Sequence, residues 1–70
     1  MIDTELEKVQ QYLRGLFAND NINLRDRAQA DGSVEVSLGE EFIGVIFKDD
    51  EEGDISYDFH MSILEIDLPE

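Results

Sequence analysis

The stretch "VEVSLGEEFIGVIF", Val34 to Phe47, decides the fold. In its first half, apolar and polar residues alternate, which is the two-residue period of a half-buried β-strand. Gly39 and Glu40 then fit a type II′ turn, whose first central residue has a positive φ angle and is usually glycine. Apolar residues resume after the turn, so the stretch predicts a β-hairpin with strands near 33–38 and 41–48.

A two-residue turn also sets the register of this hairpin, and the register decides which face of the sheet each side chain occupies. With Leu38 opposite Glu41, odd-numbered residues of the second strand share a face with the valines of the first strand. That face is apolar and can receive a helix. The residues of the second strand expected to point inward are therefore Ile43, Val45 and Phe47.

An amphipathic helix is predicted over residues 4–18. The sequence "TELE" begins it as a capping box, in which Thr4 caps the amide of Glu7 and the Glu7 side chain reaches back. Apolar residues then recur every three or four positions, so they form one stripe along the helix. The stripe comprises Leu6, Val9, Leu13, Leu16 and Phe17.

Two further strands are predicted, near 22–29 and 54–66, because apolar residues again alternate with polar ones there. Short connections that contain glycine favour antiparallel neighbours. A three-residue loop ending at Gly32 would place Arg27 opposite Glu35 across the first two strands. The fold class is therefore α+β: one N-terminal helix packed on one face of a four-stranded antiparallel β-meander, with all 70 residues in a single domain.

The composition limits the possible partners. The chain has 18 acidic and 5 basic side chains, for a formal net charge of −13. Nucleic acids and anionic membrane surfaces are not expected partners, because both bind mainly through lysine and arginine. The chain has no cysteine, so disulfides and thiolate zinc sites are excluded. It shows no signal peptide and no apolar run of membrane-spanning length, so we expect a cytoplasmic protein.

Apolar residues on the outer face predict self-association. Phe42 and Ile46 are expected there on either side of Gly44, although a sheet face opposite the helix should be polar. Burying such side chains contributes about 1.5–3 kcal/mol each. A homodimer is therefore the leading interpretation, and the C-terminal segment folding back over its own sheet is the alternative. The expected interface residues are Phe42, Gly44, Ile46, Leu64, Ile66 and Leu68.

The stretch "DDEEGD", Asp49 to Asp54, raises the question of a cation site. A calcium loop of the EF-hand type needs glycine at its sixth position and glutamate at its twelfth. Counted from Asp49, glycine is fifth and His60 is twelfth, so the template fails and a solvated turn is favoured. No cofactor is predicted. The alternative function is binding of a small ligand or divalent cation through Asp49, Asp50, Glu51, Glu52 and Asp54.

His60 does not predict catalysis. The alternation puts it on the solvated outer face, with Ser56 and Asp58 along the same strand. Same-face neighbours on a strand lie about 6.5–7 Å apart, and a flat sheet face offers no cleft for a general base. Asp26 is expected on the inner face near a sheet edge, where an inward charge discourages edge-to-edge aggregation. We therefore expect no enzymatic activity.

Two stretches resemble a known family: "VQQYLRGLF" in the predicted helix, and "VEVSLGEEFIGVIFKDDEEGDISYDFHMSILEIDL" from Val34 to Leu68. Together they are similar to a small domain family of unknown function from alphaproteobacteria. The likeness covers most of the chain, and "EEFIGVIFKDDEEGDISY" is its most distinctive part. The resemblance implies a bacterial, cytoplasmic, self-contained protein, and it carries no activity, cofactor or catalytic residue to transfer.

Overall fold

The computed structural model describes residues 1–27, 32–51 and 53–69. The elements within these residues are α1 (Asp3–Leu16), β1 (Ile22–Asp26), β2 (Val34–Leu38), β3 (Glu41–Asp49), β4 (Ser56–Met61) and a 3-10 turn (Glu65–Asp67). The sheet has the order β1-β2-β3-β4, and every neighbouring pair of strands is antiparallel. The predicted α+β class is confirmed.

Helix α1 begins one residue before its predicted start. Its N-cap is Ile2, which makes no side-chain cap bond, so the predicted capping box of Thr4 and Glu7 is wrong. Because Asp3 is already helical, Thr4 lies inside the first turn rather than at the cap position. The helix has 14 residues, and no helix in the described part of the chain is long and apolar enough to cross a membrane.

The C-terminus of α1 closes with a Schellman motif built on alanine. Ala18 has a φ angle of 51°, in the left-handed region. The Ala18 N–H donates to the Gly15 carbonyl at 3.2 Å, and the Asn19 N–H donates to the Arg14 carbonyl at 2.9 Å. An L-residue in this conformation costs about 1–2 kcal/mol, so the helix ends here at some expense of stability.

Helix α1 lies beside β1 and closes the outer edge of that strand. The Gln10 side-chain oxygen accepts a hydrogen bond from the Leu24 N–H at 2.9 Å, and Arg14 Nε donates to the Ile22 carbonyl at 2.8 Å. Without these side chains, both backbone groups would be unpaired at the sheet edge. The buried apolar core consists of Leu13, Ile22, Leu24, Val34, Val36 and Ile46.

The first two strands pair two residues away from the predicted register. Arg25 rather than Arg27 lies opposite Glu35, with the guanidinium 3.6 Å from the carboxylate. The Arg27 N–H instead donates to the Ser33 carbonyl, so the connection is longer than the predicted three residues. Residues 28–31, which include the end of the predicted first strand, lie outside the described residues.

A β-bulge makes the register of β3 differ from the prediction. The two-residue turn at Gly39 and Glu40 is confirmed, with a positive φ angle at Gly39. The predicted register holds as far as the pair Ser37 and Phe42, but beyond this pair Val36 lies opposite Gly44 rather than Ile43. Ile43 is the extra residue of the bulge, and it packs half-buried against the core. The later residues of β3 therefore exchange faces: Gly44 and Ile46 point inward, and Val45 and Phe47 point outward.

Packing explains why this bulged register is adopted. Ile46 replaces the smaller Val45 in the core and is only 1% exposed. Gly44 leaves room for β4, because a Cβ there would lie 2.5 Å from both the Phe59 ring and the His60 carbonyl oxygen. The alternation could not reveal this choice, since β3 is apolar at both odd and even positions.

Strand β4 is shorter than the predicted strand 54–66, because it begins at Ser56 and ends at Met61. Met61 is the partner of Gly44, so the ladder stops where the bulge interrupts β3. The predicted alternation within β4 is confirmed. Its inward side chains are Tyr57, Phe59 and Met61, which line the grooves beside the helix.

Candidate functional site

The inner face of the sheet is only half covered. Helix α1 packs on the β1 side, so an apolar groove of about 450 Å³ remains between α1 and β4. A second apolar groove of about 290 Å³ lies near the end of the helix, between Phe17 and Met61. The lining of the larger groove is apolar except for Glu5 and Lys8, and comprises Val9, Tyr12, Leu13, Ile46, Tyr57 and Phe59.

A cluster of three polar side chains links α1 to the far side of the sheet. The Tyr57 hydroxyl donates to Glu5 Oε2 at 2.6 Å, and the Lys48 ammonium lies 2.7 Å from the same oxygen. The hydrogen bonds from Lys48 and Tyr57 lower the pKa of Glu5. The bond to Glu5 in turn raises the pKa of Lys48 and of Tyr57. The cluster holds an ionised carboxylate that connects the helix to β3 and β4.

The predicted interface residues do not share one surface. Gly44 and Ile46 point to the inner face of the sheet and are buried, so their assignment to an exposed surface is wrong. The bulge at Ile43 is the reason, because it turns both residues inward. The other four residues are exposed by 54–87% of their surface: Phe42, Leu64, Ile66 and Leu68.

The outer face carries apolar residues that were expected inside. Val45 and Phe47 are half-buried there, and the Phe47 ring meets the His60 imidazole edge-on, with the ring centroids 5.2 Å apart. His60 therefore packs against an aromatic ring on the expected face. Together with Phe42 and Leu64, these residues line an open groove of about 890 Å³.

Strand β4 forms the second edge of the sheet, and no described strand lies on its far side. In an antiparallel ladder, successive residues direct their N–H and C=O groups to opposite sides. In β1, the backbone groups of Ile22 and Leu24 point away from β2, toward the helix. When the alternation is followed through the registers of β2 and β3, every second residue of β4 directs its backbone groups away from β3. The residues with outward backbone groups are Tyr57, Phe59 and Met61.

The acidic turn contains a local hydrogen bond. Asp49 Oδ1 accepts from the Glu51 N–H at 3.1 Å, as in an Asx-turn. In the described ranges 1–27, 32–51 and 53–69, no three aspartate, glutamate or histidine side chains converge as a metal site requires. Glu52 lies outside these ranges. Binding of a cation or small ligand by the turn therefore stays a prediction without geometric support.

The remaining polar candidates are spread over the sheet. Ser56, Asp58 and His60 follow one another along the exposed outer side of β4. Arg25 forms its ion pair with Glu35 across β1 and β2. Two strands, β2 and β3, separate Arg25 on β1 from Ser56, Asp58 and His60 on β4, so the structure does not bring them into one cleft.

Comparison with known proteins identifies the family. Residues 5–67 match the model of a family described as "Protein of unknown function (DUF3126)". The chain belongs to this family. The DUF3126 region extends from the first turns of α1 to the end of the 3-10 turn, so it includes all four strands. No curated protein and no solved structure matches the chain.

The match confirms the expected small domain of unknown function, and an alphaproteobacterial origin stays a prediction. Sequence reasoning missed the free edge of β4 and the half-covered inner face. The edge had a visible signal, because the last strand of a meander has only one neighbour and "SYDFHM" contains no lysine or proline. The half-covered face had none, because an apolar helix stripe does not say which strands it covers.

Proposed function

We propose that the protein is a non-enzymatic, acidic interaction module that pairs with a second copy of itself. The observation that carries this proposal is an excess of exposed surface. The chain exposes 5644 Å², whereas a compact protein of its 8.0 kDa mass exposes about 4,450 Å². The excess of about 1,200 Å² is larger than the roughly 800 Å² that each partner buries in a standard interface.

The shape of the chain supports the same proposal. Its radius of gyration is 13.0 Å, compared with about 11 Å for a compact domain of this length. The longest dimension is 44 Å, and the other two are 23 and 22 Å. The excess surface therefore belongs to an extended molecule, which can bury area against a partner without unfolding its core.

The chemistry of the exposed surface favours a protein partner. Among the described residues, exposed large apolar side chains outnumber those of the buried core, and six of the thirteen lie on β4 or in the segment 62–69 that follows it. The single core of a chain this short rarely supplies more than about 3–5 kcal/mol of stability, and this chain has no cysteine for disulfides. Association with a second copy would bury the apolar groups and add to the stability of each chain.

Sedimentation equilibrium tests the proposal. Between about 1 µM and 1 mM protein, we expect the mass to rise from 8.0 kDa toward twice that value. A mass that stays at that of one chain over the whole range contradicts the homodimer. Capture of proteins from a bacterial lysate cannot replace this measurement, because it does not distinguish self-association from binding to another protein.

Substitutions then test the exposed residues predicted for the interface. We expect Phe42→Ser combined with Ile66→Ser to weaken association roughly tenfold, because two apolar side chains of about 1.5–3 kcal/mol each would no longer be buried in full. Leu16→Ser is the matched control, since Leu16 is exposed on α1 and lines none of the three grooves. An unchanged dissociation constant for the double variant would remove these two residues from the interface.

A further inference from the structure

We propose that the second copy adds to the free edge of β4, antiparallel to it, with Phe59 opposite Phe59 of the second copy. The two sheets then join into one sheet of eight strands around a two-fold axis. This inference rests on the proposed homodimer and specifies its geometry. A two-fold contact is self-complementary, so the strand that forms it must match its own reverse.

The backbone of β4 is suited to such pairing. Its outward N–H and C=O groups belong to Tyr57, Phe59 and Met61, and a neighbouring antiparallel strand would pair them. Natural sheets protect free edges with lysine, proline, bulges or a covering element. β4 has no lysine or proline and no bulge, whereas Gln10 and Arg14 cover the opposite edge. β4 is therefore the edge left open for a partner strand.

The sequence around Phe59 is a chemical palindrome. Residues 55–63 read "ISYDFHMSI", with isoleucine at both ends, serine next to each, and an aromatic or thioether side chain two residues from the centre. Asp58 and His60 flank the centre. When Phe59 faces its own copy, each carboxylate lies opposite an imidazole, which can donate a hydrogen bond to it.

Neighbouring registers are less favourable. Only shifts of two residues keep outward backbone groups opposite each other, because the hydrogen-bonding side alternates along the strand. One such shift places Asp58 opposite Asp58 of the second copy, and the like charges repel. The other shift places Ile55 opposite Glu65 of the second copy and separates Asp58 from His60 of that copy. The register centred on Phe59 avoids both mismatches.

The same register covers apolar surface that the monomer leaves exposed. Ile55 and Ile63 are 58% and 70% exposed. Continued beyond both ends of β4, the pairing sets Ile55 opposite Ile63 of the second copy. The grooves between α1 and β4 in the two copies then become continuous. Inner-face side chains of the two β4 strands then contact one another across the new pairing.

Charge predicts how the dimer responds to salt. Each copy carries a formal charge of −13, so two copies repel each other at low ionic strength. Salt screens exposed charges and leaves apolar contacts in place. We expect association to tighten as sodium chloride is raised from about 20 to 500 mM, where the screening length falls from roughly 20 Å to roughly 4 Å.

Cysteine pairing tests the register directly, because the natural chain has no cysteine. The proposed register places Ser56 opposite Ser62 of the second copy in a non-hydrogen-bonded pair, where the Cα atoms lie about 4.5 Å apart, within the range for a disulfide. We expect a mixture of Ser56→Cys and Ser62→Cys proteins to form a covalent heterodimer under mild oxidation. Either variant alone should form little covalent dimer, because the cysteines of the two paired chains would then lie about 20 Å apart.

A charge exchange provides the second test and leaves the core untouched. His60→Asp places a carboxylate opposite Asp58 of the second copy at both symmetric positions, and we expect it to weaken association roughly tenfold. Adding Asp58→His restores an acid opposite an imidazole, and we expect it to recover most of the affinity. Circular dichroism of each variant checks that the fold is retained.

The outcomes separate the geometry from the proposed function. A dimer with the mixed cross-link and recovery by the charge exchange supports the β4 contact. A dimer that forms no mixed cross-link, or that cross-links equally well in the single-variant samples, overturns the β4 contact and leaves the homodimer standing. A chain that remains monomeric over the whole concentration range overturns both.

Discussion

The two edges of the sheet differ in how their backbone groups are satisfied. At β1, Gln10 and Arg14 of the helix bond to the outward N–H of Leu24 and the outward carbonyl of Ile22. At β4, no described strand lies on the side away from β3, and among the described residues the helix bonds to this strand through Glu5 and the Tyr57 hydroxyl. One helix cannot close both edges of a four-stranded sheet, so closing the first leaves the second open. The fold of a single copy thereby directs a partner strand to one place.

The largest expected effect is on the attachment of β4. Gly44→Ala would place a Cβ 2.5 Å from the Phe59 ring and the His60 carbonyl oxygen, and backbone of β4 would have to move. We expect a loss of about 3 kcal/mol in the free energy of unfolding, the upper range for overpacking. Chemical denaturation measures the loss, and hydrogen exchange should show β4 opening before β1.

Gly15→Ala is the control for this substitution. Gly15 lies in α1, and no atom lies within 4 Å of the position that an alanine Cβ would take. Because alanine favours the helix more than glycine does, we expect Gly15→Ala to raise the free energy of unfolding by up to about 1 kcal/mol. If Gly44→Ala were as stable as the natural chain, the close packing of Phe59 on β3 would be wrong. β4 would then be held to β3 without the close contact between Gly44 and Phe59.

The next effect concerns the closed edge. Gln10→Ala leaves the Leu24 N–H without its side-chain partner, and we expect a loss of about 1 kcal/mol. It also opens part of the β1 edge, so sedimentation should show species larger than a dimer at high concentration. Gln11→Ala is the matched control, since Gln11 is exposed in the next position of the helix. Equal behaviour of the two variants would show that Gln10 does not protect the edge.

The smallest effect is expected at the link between α1 and the open side. Tyr57→Phe removes the hydroxyl that donates to Glu5, and we expect a loss of about 0.5–1 kcal/mol because the pair is partly exposed. Thermal unfolding of the variant and the natural chain measures the difference. A change above about 2 kcal/mol would indicate that Tyr57 contributes through packing in the groove as well.

The same link predicts a pH window for stability. The pKa of Glu5 is lowered from 4.5, so its contribution is present above that value and is lost as pH falls through the lowered pKa. The pKa values of Lys48 and Tyr57 are raised from 10.5 and 10.0, so their contributions are present below those values and are lost as pH rises through the raised ones. Glu5→Gln should flatten both limbs of the stability profile, and an unchanged profile would exclude the link as their source.

Local periodicity was sufficient for the layout of the fold. The helix stripe and the alternation of β4 depend on residues close in sequence. The alternation of β4 matches the structure, and Leu6, Val9 and Leu13 of the stripe pack in or against the core, whereas Leu16 and Phe17 at the end of the helix are exposed. The strands of the central hairpin were also located to within one residue at each end, because Gly39 fixes the turn between them. These features do not require knowledge of how distant residues pack.

The candidate site depended on packing between strands, and for that reason it could not be predicted in full. A single extra residue at Ile43 reverses the faces of all later residues of β3, so Ile46 became core while Val45 and Phe47 became surface. The Gly44 position, expected in an interface with a second copy, is instead closely approached by Phe59 of the same chain. Leu64, Ile66 and Leu68 were correctly expected to be exposed, since no strand is available to pair with them.

The bulge at Ile43 has a consequence for how this family can vary in length. A chain lacking that one residue would still pair Phe42 with Ser37 and would bring Gly44 opposite Val36 in an uninterrupted ladder. No other side chain would change faces, so the loss would remove one half-buried isoleucine and little else. Loss of Val45 would instead turn part of β3 over and expose core residues. Relatives with a shortened third strand should therefore lack a residue at position 43.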